Sequence, residues 1–246
     1  MPINVSCCTI HALTIVLEQR IDMSEGCESA TGNVHLLVAD ISNLLANPAL
    51  QTEALQHLSS YRHEKVEACG NPRNRALSIG VALLLDGLLS EHGLHECEMT
   101  YVEGEHGKPS FANHPELLFN LSHSGSLVAA AMLKNANATT CQIGVDLQRV
   151  TRYRPDIVRR MFSAADRALL ATATDEAERE RLFAQCWCRA EAYAKATGTG
   201  LQWPFSEPPA GAVLKDFCLG DKDNTSESQP TGSAYCGCLC LLQGSN

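Results

Sequence analysis

The sequence predicts an α+β fold. Three features point there. Apolar, strand-like runs open two regions, at 34–41 (VHLLVADI) and 141–150 (CQIGVDLQRV). Helical stretches gather after each run instead of alternating with every strand, and two short runs at 117–121 and 127–133 lie close enough to pair as a hairpin. The two regions echo each other, because each opening strand carries an acid near its end, Asp40 in one and Asp146 in the other.

Taken in order, residues 1–33 mix apolar pieces with Ser, Glu and Gly and read as an N-terminal extension of uncertain structure. After the strand at 34–41 a single helical stretch is expected over 47–68, with Pro48 near its start. Gly70, Asn71 and Pro72 make a turn. The segment 74–92 is apolar nearly all round over 79–89, which predicts a buried helix closed by Gly93. A loop, VEGEHGKPSF, leads to the strands LLFNL and LVAAAML, joined by SHSGS as a hairpin connection. The polar linker KNANATT (134–140) separates an N-terminal lobe, 34–137, from a C-terminal lobe, 138–246. In the latter, a strand at 141–150 precedes a helix at 155–161, and Ser163 with Asp166 forms a capping box before the next helix. The long helix that follows shows one apolar stripe, Leu182, Phe183, Cys186, Trp187, Ala190 and Ala194, and Gly198 and Gly200 stop it. A Pro-rich turn, a polar loop (220–233) and the strand AYCGCLCLL complete the chain.

Composition bounds the function. With 246 residues, 45% hydrophobic and 19% charged, the chain has the material for a sizeable core. A net charge of -9 argues against general binding of nucleic acid or anionic membranes, so contact with an anionic ligand must come from local Lys and Arg. No run approaches a membrane span, and the apolar run 10–17 is short with no basic segment before it. The expectation is a cytoplasmic protein whose 12 cysteines are reduced. No CxxC pair gives zinc spacing, and Cys236, Cys238 and Cys240 fall on one face of a strand as small core residues.

Four motifs carry chemistry. In CWCRAEAYAKATGTGL, Glu191 and Lys195 are four apart and stand one turn above each other; alone they read equally as a surface ion pair. In IGVDLQ, Asp146 and Gln148 point to one face of a strand. Asp146, Glu191 and the Gln148 amide oxygen are hard ligands of the kind Mg²⁺ takes, whereas the plainer reading of Asp146 is a strand-end acid capping a loop. Lys108 and Pro109 present a lysine on a constrained loop, and Ser122 and His123 sit at the expected hairpin tip, where polar groups can bond phosphate. A serine hydrolase built on Ser122 and His123 lacks both a GxSxG elbow and a third partner. Arg73 and Arg75 stand at the start of the buried helix, where amide groups favour anions.

In this order, GKP, FNLSHS, IGVDLQ and WCRAEAYAKATGTGL resemble the motif series of the 4′-phosphopantetheinyl transferases, closest to their larger single-chain type. The resemblance covers roughly 34–201. It implies two similar α+β lobes forming a pseudo-dimer, hence a monomer, with the active site in the cleft between them. It implies transfer of phosphopantetheine from coenzyme A to a serine of an apo acyl, peptidyl or polyketide carrier protein, in fatty-acid, polyketide or nonribosomal peptide synthesis. Asp146 and Glu191 match the Mg²⁺ ligands, with Gln148 at a position where many members have Glu. Lys195 matches the helix lysine near the pyrophosphate; Lys108, Pro109, Ser122 and His123 match the coenzyme A-contacting motifs, and Arg75 a basic residue before the buried helix. Glu191 is then the first choice for general base and Lys195 for stabilising the leaving phosphate. Arg189 and Ala190 precede Glu191 where the family commonly has Lys, displacing that charge by one residue. The alternative is a catalytically weakened coenzyme A or carrier-protein binding module, with Gln148 marking lost metal affinity.

Overall fold

The computed structural model describes residues 12–22, 33–134, 141–201, 205, 207–209, 211–220 and 234–243. The linker at 135–140 and most of the polar loop at 220–233 lie outside the described residues. The class is mixed, with helices packed on antiparallel sheets. The first sheet has the order β1-β2-β6-β5, from β1 (Thr14–Asp22), β2 (Asn33–Asp40), β5 (Leu117–Ser124) and β6 (Leu127–Lys134), every neighbour antiparallel. The second has the order β7-β9-β8, from β7 (Cys141–Arg149), β8 (Val213–Leu219) and β9 (Tyr235–Gln243). A short hairpin, β3 (Tyr101–Glu103) with β4 (Pro109–Phe111), replaces the loop expected around GKP.

Two further expectations change. Part of the 1–33 stretch is β1, which pairs along β2 from Thr14↔Asp40 to Asp22↔Asn33, so the extension supplies an edge strand of the sheet. The single helix over 47–68 is two, α2 (Pro48–Leu55) and α3 (Ser60–Glu67), after a short α1 (Ser42–Ala46). The break is at Ser59. Its hydroxyl caps α3 by accepting Arg62 N–H at 3.2 Å, and its own N–H donates to the buried Glu96 carboxylate at 2.6 Å. A residue whose amide serves a carboxylate cannot also continue the i→i−4 ladder.

The elements stack in layers. The helix α4 (Pro72–Ser90), started by Asn71 and Pro72, lies on one face of the first sheet, burying Leu84, Leu85 and Leu88 against Leu37, Ala39 and Val128. Burial of each such side chain is worth about 1.5–3 kcal/mol. The other face packs Leu36, Val38 and Ala131 on Ile143, Val145 and Leu239 of the second sheet. Beyond that sheet lies α7 (Glu176–Thr197), set on Cys236, Cys238 and Cys240 through Ala184, Cys188, Ala192 and Ala196. The expected one-sided cysteine row is therefore part of this interface. The outer side of α7 carries Phe183 and Trp187, which pack with Phe162 and Phe205 and hold α5 (Pro155–Met161) and α6 (Ala164–Leu170). The capping box of Ser163 and Asp166 is present at α6. Among the described residues no helix is long and apolar enough to cross a membrane.

Small residues let α7 come this close. A Cβ on Gly144 of β7 would stand 2.0 Å from Ala192 O and 2.5 Å from Ala196 N, both backbone atoms that cannot rotate away. Gly144→Ala must push helix and strand apart, and overpacking of this kind typically costs about 1–3 kcal/mol. The denaturant midpoint of that variant is expected to fall accordingly; a midpoint equal to wild type would show that the contact carries no such constraint.

Candidate active site

The face of β7 turned to α7 carries Gly144 and, two residues on, Asp146. One edge of β7 pairs with β9. The other edge is served by side chains. Val145 N–H donates to Asn120 Oδ1 at 2.9 Å, Leu147 N–H to Ser122 Oγ at 3.1 Å, and Arg149 N–H to Ser124 Oγ at 2.9 Å. Asn120, Ser122 and Ser124 alternate along β5, so one strand's polar side chains stand in for a neighbouring backbone. Ser122 and His123 are consequently strand residues, and the turn is only Gly125-Ser126. The expected five-residue connection overlooked that polar alternation, N-x-S-x-S, is itself compatible with a strand whose polar side meets another sheet.

Lys195, on the last turns of α7, closes the centre. Its ammonium lies 2.7 Å from Asp146 Oδ1, 3.0 Å from Ser122 Oγ and 3.2 Å from Val145 O. Ser122 in turn donates to Asp146 Oδ1 at 2.9 Å. The Asp146 side chain is 8% exposed and that of Lys195 29%. At that burial, removing Lys195 strands the Asp146 charge, at a typical cost of about 3–5 kcal/mol. One turn earlier on α7, Glu191 lines a cavity of about 250 Å³ shared with Lys108, Pro109, Asn120 and Lys195. Burial, and next the Asp146 charge, raise the Glu191 pKa, while Lys195 pulls it down. Two carboxylates thus face one ammonium, and the excess negative charge sits on Glu191.

The remaining expected residues are less tightly gathered. Lys108 sends its ammonium to two backbone carbonyls, Ile143 O at 3.0 Å and Ala196 O at 2.7 Å, and burial lowers its pKa to about 8. It braces the hairpin loop against the C-terminal end of α7, where the helix dipole favours a cation. Gln148 donates its amide to Arg149 O at 3.2 Å. His123 is exposed near the β5–β6 turn, its pKa lowered by the atoms crowded around it and then by Lys195. Arg73 reaches the same turn, donating to Gly125 O at 2.7 Å, and Arg75 stands half-buried one step further along α4. Arg189, the displaced charge ahead of Glu191, clasps Asp216 of β8 at 3.0 and 3.1 Å, and Gln185 joins it at 2.7 Å. This latch ties α7 to the edge of the second sheet.

The one group of three metal-ligating side chains among the described residues is elsewhere, at Glu18, His35 and Glu91. There the two imidazole nitrogens face different carboxylates, at 3.2 and 3.1 Å, and Arg20 clamps Glu91 at 2.8 and 3.0 Å. Those acids already have protein partners. Glu191 does not, beyond the Lys195 it shares with Asp146, and its chemistry suits a cation better.

A raised acid pKa means that the folded state holds the proton more tightly than the unfolded chain. The Glu191 contribution to stability is therefore full at low pH and is lost as pH rises through the interval above the ordinary value of 4.5. In metal-free protein, Glu191→Gln is expected to melt no lower than wild type at pH 7, with any advantage vanishing below that ordinary value. Thermal melts with a chelator across pH check this, and a clear loss of stability at pH 7 contradicts it.

Comparison with known proteins agrees with this geometry. Residues 142–240, which hold Asp146, Glu191 and Lys195, match the family profile of the 4′-phosphopantetheinyl transferase superfamily. The chain is 28% identical over 163 residues to the 4′-phosphopantetheinyl transferase Sfp of Bacillus subtilis, covering 64% of this chain and 69% of that one. It is 30% identical over 185 residues to the 4′-phosphopantetheinyl transferase pptA of Paxillus involutus, covering 68% and 67%. To the 4′-phosphopantetheinyl transferase HetI of Nostoc sp. it is 32% identical over 132 residues, about half of each chain at 52% and 53%. With the motif residues assembled on adjoining strands and one helix, these similarities place the chain in the 4′-phosphopantetheinyl transferase superfamily, to which it belongs.

Proposed function

We propose that the protein transfers the 4′-phosphopantetheine group of coenzyme A to a serine hydroxyl of an apo carrier protein and releases adenosine 3′,5′-bisphosphate. The observation that carries this reading is the Lys195–Asp146–Ser122 contact with Glu191 one turn away, in a member of this family. In the reaction the serine oxygen forms a bond to the β-phosphorus, and the bridging bond to the α-phosphate breaks. Phosphoryl transfer asks the protein mainly to position groups and neutralise charge. Lys195 stands ready to offset the charge that develops on the departing phosphate. Glu191, its pKa lifted towards neutrality, accepts the serine proton. Asp146 and Glu191 are the residues that would hold a divalent cation such as Mg²⁺, their two carboxylates being hard donors with one ammonium between them. A bound cation would supply further neutralisation of the pyrophosphate. Gln148 is in reach of this face of β7 only as a neutral amide, so any part it takes is weaker than a carboxylate's.

The coenzyme A-binding assignment rests on the resemblance for Arg75, Lys108, Pro109, Ser122 and His123. Of these, the His123 ring and the Arg75 guanidinium make no hydrogen bond to another residue among the described residues and are available to a phosphate, whereas Lys108 contributes through the wall it braces. We read the two sheets as two lobes, each with one long helix laid on it, α4 and α7. Their opening strands end in Asp40 and Asp146, but Asp40 accepts Ser42 N–H and Ser126 O–H, both at 2.7 Å. Only the second acid meets a lysine, which leaves one active site rather than two. We count Thr14–Asp22 with the N-terminal lobe in this reading, since β1 pairs with β2.

Carrier proteins are generally acidic, as is this chain, so docking needs a local basic patch. The exposed Arg152, Arg154, Arg159 and Arg160, just after β7, are the proposed patch. Incubation with coenzyme A, Mg²⁺ and a panel of apo carrier proteins, followed by mass spectrometry, is expected to show added phosphopantetheine. Glu191→Gln and a chelator should each abolish the product while the variant still folds. Coenzyme A binding without any transfer by wild type would favour the weakened binding module instead. Charge reversal at the four arginines is expected to raise KM for the carrier about tenfold or more at low salt, and an unchanged KM would move the docking site elsewhere.

A further inference from the structure

The second sheet holds a thiol pair that the transfer chemistry does not use. Cys218 of β8 and Cys236 of β9 are directly opposite each other in the antiparallel register. Which kind of opposition this is follows from the hydrogen bonds of β7. Its odd amides, at Val145, Leu147 and Arg149, turn away from β9 to the side chains of β5. The even position beyond them, Val150, donates to Ala234 O at 2.9 Å. Even residues of β9 therefore bond towards β7, Cys236 among them through its partner Gln148. On its β8 side Cys236 is left in a non-hydrogen-bonded pair. In such pairs the Cα atoms are only about 4.5 Å apart and the side chains are at their closest. That falls inside the range of roughly 4.4–6.8 Å that a disulfide spans.

The register sets the two thiols side by side on one face of the sheet. Both line one surface groove of about 220 Å³, with Arg181 and Gln185 of α7 on its other wall. Cys218 is exposed and Cys236 buried, and β8 is an edge strand free to adjust. Cys186, Cys188, Cys238 and Cys240 are all buried, which leaves Cys218 as the accessible entry to the row.

We propose that Cys218 and Cys236 form a dithiol that closes into a cross-strand disulfide when it meets a small-molecule disulfide. Cys218 sulfur attacks one sulfur of the reagent and expels the other half as a thiol, giving a mixed disulfide. Cys236 sulfur then attacks Cys218 sulfur and expels the second half. Two protein thiols are oxidised, one reagent disulfide is reduced to two thiols, and the two protein protons end on those thiols. Cys218 is exposed and Cys236 buried, which assigns the first attack to Cys218 and the resolving step to Cys236. The bond would clamp β8 two residues from Asp216, the residue that latches α7.

The test uses the full chain treated with glutathione disulfide, alkylated, digested without reduction and mapped by mass spectrometry. The expected result is a peptide pair joining Cys218 to Cys236, lost on treatment with dithiothreitol, and at least a tenfold slower alkylation of Cys218. The melting temperature should rise on the order of 5–10 °C, since the link closes a loop of this modest length. Cys218→Ser, an exposed position, should remove the link and the rise together; Cys236→Ala should leave Cys218 as a stable mixed disulfide with glutathione. A wild-type protein that stops at that mixed disulfide overturns the proposal, as does a link from Cys236 to the neighbouring Cys188.

Discussion

The centre depends on how near α7 can approach β7. Gly144 offers no side chain, and Ala192 and Ala196 offer only methyl groups, so helix and strand meet almost backbone to backbone. Two strand residues advance about 7 Å and one helical turn about 5.4 Å. Asp146 therefore stands about one turn along from the contact, within reach of the side chain that Lys195 sends from the contact itself. A helix set farther out would still be amphipathic and still be capped at Gly198, but its ammonium would not reach the acid. The cysteines of β9 belong to the same logic. They are small, apolar and slightly polarisable, and Cys188 Sγ meets Cys236 O at 3.2 Å within that tight interface.

The second device is the ladder of Asn120, Ser122 and Ser124. A strand edge presents unpaired amides, which proteins usually cover or pair. Here β7 is covered by side chains from a strand of the other sheet, which fixes the two sheets in register without merging them. A hydroxyl used this way keeps its own proton and a second lone pair. Ser122 spends both on the Asp146–Lys195 pair, giving the proton to Asp146 and accepting from Lys195. Structural satisfaction of an edge and orientation of the site are thus the same bonds. Asp40, at the corresponding end of β2, is used up by Ser42 and Ser126 and has no such role.

Much of this was legible in the sequence, and the failures have physical causes. Continuous apolarity over 79–89 identified α4, and the stripe from Leu182 to Ala194 with glycines after it identified α7 and its left-handed cap at Gly198. Helix and strand periods put Glu191 with Lys195 on one side of a helix and Asp146 with Gln148 on one face of a strand, and the resemblance to the family's motif series joined them as a set. What periodicity cannot supply is the partner across a layer. TIVLEQRID has a weak alternation and gave no sign of joining β2, since an edge strand is half exposed. The break at Ser59 depends on Glu96, 37 residues away. The local sequence of Lys108 reads as a solvated lysine on a turn and the resemblance puts it among the coenzyme A-contacting motifs, whereas its ammonium meets two inward-facing carbonyls at the end of α7.

The charges at the site are deliberately out of balance. At Glu18, His35, Glu91 and Arg20 the acids are exposed and their partners are all protein groups. At Asp146 and Glu191 a single ammonium serves two carboxylates, so one of them is held against its own solvation and against its neighbour. A fold selected for stability alone would place another basic residue there, and Arg189, only two positions from Glu191, is well placed in sequence to be it. The chain instead sends that guanidinium to Asp216 on the opposite flank of α7. The latch spends its charge on holding the helix down and leaves at Glu191 the charge deficit that a divalent cation would offset under the proposed function.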